Sequence, residues 1–117
     1  MGIRLKRVYE PYDPEDGYRV LVERLWPRGI SKEHARVDRW VKDAGASPSL
    51  RTWFGHDPAR WEEFRKRYFA EMRGRPGVME ELRELVVSHE TVTFLFAARD
   101  TVHNNAAALR EFMEIKV

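Results

Sequence analysis

Two arginines, Arg24 and Arg28, flank a Trp-Pro pair in the run RLWPRG, directly after the apolar stretch YRVLVE. A second polar run, ARDTVHNN, carries Arg99, Asp100, His103, Asn104 and Asn105 after the apolar stretch TVTFLFAA. Guanidinium groups are planar, permanently charged forks that suit phosphate or carboxylate. An imidazole exchanges its proton near neutral pH, so His103, with Asp100 beside it, is the candidate acid–base pair. Arg24, Arg28, Arg99, Asn104 and Asn105 are the candidate anion-binding groups, and Trp26 offers a face for a base or a sugar. A helix beginning near Thr101 would add free backbone N–H groups and the positive end of its dipole.

Each of these residues also has a plainer role. Arg24 at a strand end can pair with an acid of the loop EPYDPEDG, because buried charge rarely goes unpaired. Asp100 or Thr101 can serve as a helix N-cap. Trp26, Trp53, Trp61 and Phe64 can simply pack, and His56 in FGHDP stands where a turn or cap is expected. The four histidines show no helical pairing, so no metal site is expected. Neither a Gly-rich phosphate loop nor a GxSxG elbow is present.

The elements that must position these residues follow from apolar spacing. IRLKRVY alternates as a strand, and Val20, Leu21 and Val22 form an apolar run expected of a central strand covered on both faces. Ser31 caps a short helix through Ala35. The spacing of Val37, Trp40, Val41 and Ala44 favours a helix, while the alternation of Val37, Arg39 and Val41 leaves a strand open. Ser47, Pro48 and Gly55 bracket another short helix. Asp57 and Pro58 open a long one with Trp61, Phe64, Tyr68 and Met72 on one stripe, closed by Gly74 and Pro76. A further helix carries Met79, Leu82, Leu85 and Val86. Thr91 to Ala98 reads as the second core strand, and a final helix buries Val102, Ala106, Leu109 and Met113.

Strands separated by helices predict an α/β fold: a small three-layer sandwich with a short, mostly parallel sheet and helices packed on it. The chain of 117 residues makes a single domain, residues 1–117. Its 21 bases are nearly balanced by 19 acids, so the net charge of +2 gives only weak support to a nucleic-acid partner. With no cysteine, thiol nucleophiles, disulfides and Cys-based metal sites are excluded, which fits a reducing, cytoplasmic setting. No apolar run is long enough for a membrane span. No cofactor is expected, and homo-oligomerisation stays open.

The runs YRVLVERLWPRGISKE, LRTWFGHDPARWEEFRKRY and TFLFAARDTVHNNAAAL together resemble the YeaO-like branch of the bacterial domain-of-unknown-function 488 family. The resemblance covers essentially the whole chain and implies a small α/β domain, with no established catalytic residue to carry over. In the wider family a strand ends in DVR, which VERLWPRGIS matches with Arg24 in the arginine place. This branch tends to write HNHA after its late strand. Here the chain reads HNNA, so the resemblance puts Asn105 where a histidine is usual, and an amide carries no proton at neutral pH.

Two functions from different classes are therefore expected. In the first, a strand-end pocket binds an anionic, phosphate-bearing ligand, a nucleotide or nucleic-acid fragment included, with acid–base chemistry by His103 and Asp100 if it is catalytic. In the second, the domain is a non-catalytic interaction or structural unit whose arginines form ion pairs and whose aromatic helix around Trp61 meets a partner. Convergence of Arg24, Arg28, Arg99 and His103 on one cavity would discriminate the two.

Overall fold

A computed structural model describes residues 2–116. Its four strands are β1 (Gly2–Arg7), β2 (Tyr18–Leu21), β3 (Arg39–Trp40) and β4 (Thr91–Phe96). The helices are α1 (Lys32–Ala35), α2 (Pro48–Phe54), α3 (Trp61–Arg73), α4 (Pro76–Ser88) and α5 (Asn105–Lys116), with short 3-10 turns between. The strands pair in the order β1-β4-β2-β3, and all three pairings are parallel. The fold is a small α/β sandwich.

The period of two in the strands divides the core. Val20, Val22, Val92, Phe94 and Phe96 face a large cluster built with Phe64, Tyr68, Leu82 and Leu109 of the longer helices. Leu21, Leu95 and Val8 point the other way, onto Ala35 of α1 with Trp26, Ile30 and Trp40 against them. The two outer layers are thus unequal: α2 to α5 cover one face, and α1 with its flanking loops covers the other.

That second face also buries charge. Arg19 is 1% exposed. Its guanidinium pairs with Asp16 and donates to the carbonyls of Ala35 at 2.8 Å and Arg36 at 3.0 Å. Lys6 meets the same carboxylate at 2.9 Å, and the Thr93 hydroxyl donates to the Asp16 carbonyl at 2.7 Å. Burial opposes the charged form of Asp16, but the bonds from Lys6, the backbone contact with Asp13 and Arg19 outweigh it and hold the carboxyl below its usual range. One acid of EPYDPEDG, Asp16, therefore anchors the β1–β2 connection through Arg19 and Lys6, and Arg24 takes its acidic partner, Asp43, elsewhere.

Several elements differ from expectation. Residues 39–40 form β3, not a helix, because Val20 and Leu21 offer them a parallel ladder. Trp40 then joins the smaller cluster while Val41 joins the larger, and this alternation produced the apparent helical spacing. Asp57 caps a 3-10 turn at Pro58–Arg60, and α3 starts after it at Trp61. β4 ends at Phe96, short of Ala98. The last helix begins at Asn105, not near Thr101, and Val102 is 62% exposed instead of buried. The helix over 48–54, in contrast, has Ser47 as N-cap, Pro48 opening it and Gly55 left-handed at its end.

Candidate functional site

Parallel strands bring their carboxyl ends to one edge, where connecting loops leave room for a ligand. A cavity of about 380 Å³ lies at this edge, between the chain leaving β2, the chain leaving β4, α2 and the start of α5. Ala46, Phe54, Phe64 and Ala97 supply apolar wall. Arg28, Arg51 and His56 also line it, and all three are exposed.

Arg24 lines the cavity but directs its guanidinium into the wall. Nε donates to the Ala46 carbonyl at 3.2 Å and Nη2 to the Gly45 carbonyl at 3.1 Å, while Nη1 meets Asp43 at 3.3 Å. Arg75 holds the same segment, donating to the carbonyls of Asp43 at 2.8 Å and Gly45 at 2.9 Å. Gly45 is required by proximity: a Cβ there would lie 2.5 Å from the Arg24 backbone nitrogen. Segment 43–46 is thus pressed against the end of β2.

Asn105 completes this wall. Its Nδ2 donates to the carbonyls of Val22 at 2.9 Å and Ala44 at 3.3 Å, and its Oδ1 accepts the Ala46 N–H at 2.8 Å. The buried Tyr68 hydroxyl donates to the same Ala44 carbonyl at 2.6 Å, and burial pushes its pKa far above the usual phenol value. Asn104 is the N-cap of α5, its Oδ1 accepting from Ala107 N–H at 2.8 Å while its Nδ2 donates to the Asp100 carbonyl at 3.0 Å. Trp26 packs edge-on to Trp40 at 5.3 Å and donates its indole N–H to the Ile30 carbonyl at 2.8 Å.

Asp100 and His103 form a compact turn. The Asp100 carboxylate accepts the N–H groups of Val102 and His103, each at 2.9 Å, and its Oδ2 lies 2.8 Å from His103 Nδ1. The backbone and ring bonds from His103, with that from Val102, lower the Asp100 pKa to about 2. Such a carboxylate does not donate a proton at neutral pH. The imidazole also stands edge-on to Trp61 at 5.3 Å. Arg24, Trp26, Arg28, Asn104 and Asn105 share the cavity lining, whereas Arg99, Asp100 and His103 lie outside it. The expected four-way convergence of Arg24, Arg28, Arg99 and His103 is therefore half met.

Three lining residues escaped sequence reasoning. Arg51 reads as the solvent face of a short helix, and His56 as a turn residue; it does adopt a left-handed φ of 58°. Glu23 follows the apolar run of β2 and keeps some exposed surface because the cavity opens onto it. Protein nevertheless surrounds the carboxyl, so burial raises its pKa, against the opposing pull of the Ala97 N–H and the Arg51 charge. The signal was a carboxylate set within VLVERLW, where a strand end should be apolar or solvated.

A small parallel α/β domain with an arginine-bearing, partly apolar cavity at the carboxyl edge of its sheet is the class that fold and site define. The chain belongs to the DUF488-N3i family, described as the inactive DUF488-N3 subclade, whose model matches residues 2–117. It is 42% identical over 111 residues to an uncharacterized protein of Mycobacterium tuberculosis, covering 95% of this chain and 92% of the relative. It is 36% identical over 113 residues to the uncharacterized protein YeaO of Escherichia coli, covering 97% of each. No solved structure matches the chain. Among the described residues no helix is long and apolar enough to cross a membrane, and no group of three or more His, Cys, Asp or Glu gathers to hold a metal ion.

Proposed function

We propose that the carboxyl-edge cavity binds a small anionic, phosphate-bearing ligand, and that the protein works in the cytoplasm as a binding domain without turnover. One observation carries this reading. Arg28 and Arg51 line the same cavity, and among the described residues neither guanidinium has an acidic partner within ion-pair distance. With Arg24 they set three guanidiniums against the single carboxyl of Glu23, on which the Arg51 charge acts, so the lining carries an excess of positive charge that a bound anion would balance. Acid–base chemistry by His103 and Asp100 is left out of the proposal, since the pair lies off the cavity and Asp100 is held as a carboxylate. The family's description as inactive supports the same choice.

The rival reading, an interaction domain knit by arginine ion pairs, draws support from Arg19 and Arg24, which both serve the fold. Its aromatic docking helix is less well supported, because Phe64 and Tyr68 are 2% and 0% exposed.

Thermal melts test the proposal. Inorganic phosphate, sulfate and mononucleotides should raise the melting temperature above that in chloride of matched ionic strength. The gain should reach about 2.7 kcal/mol at a hundredfold excess over the dissociation constant. Arg28→Ala and Arg51→Ala should remove the rise and leave the unliganded melt nearly unchanged. A wild-type melt that no anion shifts overturns the reading.

A further inference from the structure

Resting on that reading, we infer that Glu23 is a specificity-determining residue, and that the ligand carries, besides its anionic group, a hydroxyl or amino hydrogen that reaches this carboxyl. Arg28, Arg51 and His56 are exposed in the cavity lining, Glu23 is half-buried and feels the Arg51 charge, and Ala46, Phe54, Phe64 and Ala97 provide apolar wall.

The Glu23 carboxyl is under-used where it stands. Among the described residues the hydrogen bond it accepts comes from the Ala97 backbone N–H, with Arg51 acting on it only through its charge. A carboxylate has about four lone-pair sites, so several remain open to whatever fills the cavity. The backbone on both sides is fixed: the Trp40 indole N–H donates to the Glu23 carbonyl at 2.7 Å, and the Val22 carbonyl accepts from Asn105. An alkyl-ended ligand would shut water away from the carboxyl and leave those sites empty, which is costly. A ligand with a donor at that point satisfies them. Sites built this way discriminate strongly against analogues that lack the hydrogen-bonding group. The arginines supply affinity for the phosphate, and Glu23 sets which phosphates are accepted.

Calorimetric titration at neutral pH with a graded series of ω-hydroxyalkyl, ω-aminoalkyl and plain n-alkyl phosphates tests this. At the chain length that brings the terminal group to Glu23, the hydroxyl or amino member should bind about tenfold tighter, or more, than its alkyl isostere. Glu23→Gln keeps an oxygen for the Ala97 N–H but turns an N–H₂ group toward the ligand, so the preference should vanish. Glu23→Met, which offers no strong acceptor, should favour the alkyl member. Should either variant fail to fold, the wild-type series alone decides. If alkyl phosphates bind as tightly as donor-bearing ones at every length, and Arg28→Ala still weakens them all, this inference is wrong and the anion site stands. If no phosphate in the series binds, the anion site itself is wrong, and the role of Glu23 falls with it.

Discussion

The side-chain amide of Asn105 donates to the carbonyl of Val22 at 2.9 Å, tying the first residue of α5 to the chain leaving β2. The same side chain serves Ala44 and Ala46, so one amide satisfies backbone groups from two segments. A neutral imidazole has one donor and one acceptor. Asn105→His should therefore lose at least one of these contacts and cost about 1–3 kcal/mol in chemical denaturation. Tyr68→Phe removes the other donor to the Ala44 carbonyl. Because the two side chains share that acceptor, a double-mutant cycle of Asn105→Ala with Tyr68→Phe should show a coupling of about 0.5 kcal/mol or more.

Arg24 and Arg28 should behave in opposite ways although four residues apart in one loop. Arg24→Ala strips donors from the Gly45 and Ala46 carbonyls. It should destabilise the unliganded protein by about 1–3 kcal/mol. Arg28→Ala should act on anion binding alone. Paired urea melts with and without phosphate separate the two effects.

Phe64 is 2% exposed, stacks with Trp61 at 5.6 Å between ring centres, and lines the cavity. Phe64→Ala should cost about 3–5 kcal/mol. A loss below about 1 kcal/mol in urea denaturation would mean that the α3 stripe is not core.

The Asp100 turn predicts a pH dependence. Its carboxyl is lowered from 3.8 to about 2 in the folded chain, chiefly by the His103 backbone bond. A group depressed in this way adds stability that is fully present above its unfolded pKa, near 4, and is lost as pH falls toward the folded value. Asp100→Asn keeps an oxygen for the turn without titrating. Its stability should fall less between about pH 4 and 2 than that of the wild type, as read by denaturant midpoints across that window.

The cap residues made α2 legible, because Ser47, Pro48 and Gly55 act through local backbone geometry. The stripe of Phe64, Tyr68 and Met72 was legible for a similar reason: one helix face must bury it. β3 was not legible, since two residues carry no period of their own and became a strand only where β2 was there to pair. The site divides the same way. Arg28 stood out because it follows an apolar strand. Glu23 and Arg51 did not, because their joint placement depends on how α2 folds back over the sheet edge, a long-range contact with no local trace. Asn105 was noticed as a departure from a family pattern, but its three backbone contacts are visible only in three dimensions.

The close approach at Gly45 has a mechanical consequence. Where segment 43–46 meets the Arg24 main chain, there is no room for even one added carbon, which would lie 2.5 Å from the Arg24 nitrogen. The gauge of the cavity on that side is set by main chain against main chain, with no compliant side chain to swing aside. Widening the cavity there would require the main chain of segment 43–46 to move, and Arg24 and Arg75 hold that segment by its carbonyls. A ligand bound as proposed would spend little ordering entropy on this wall.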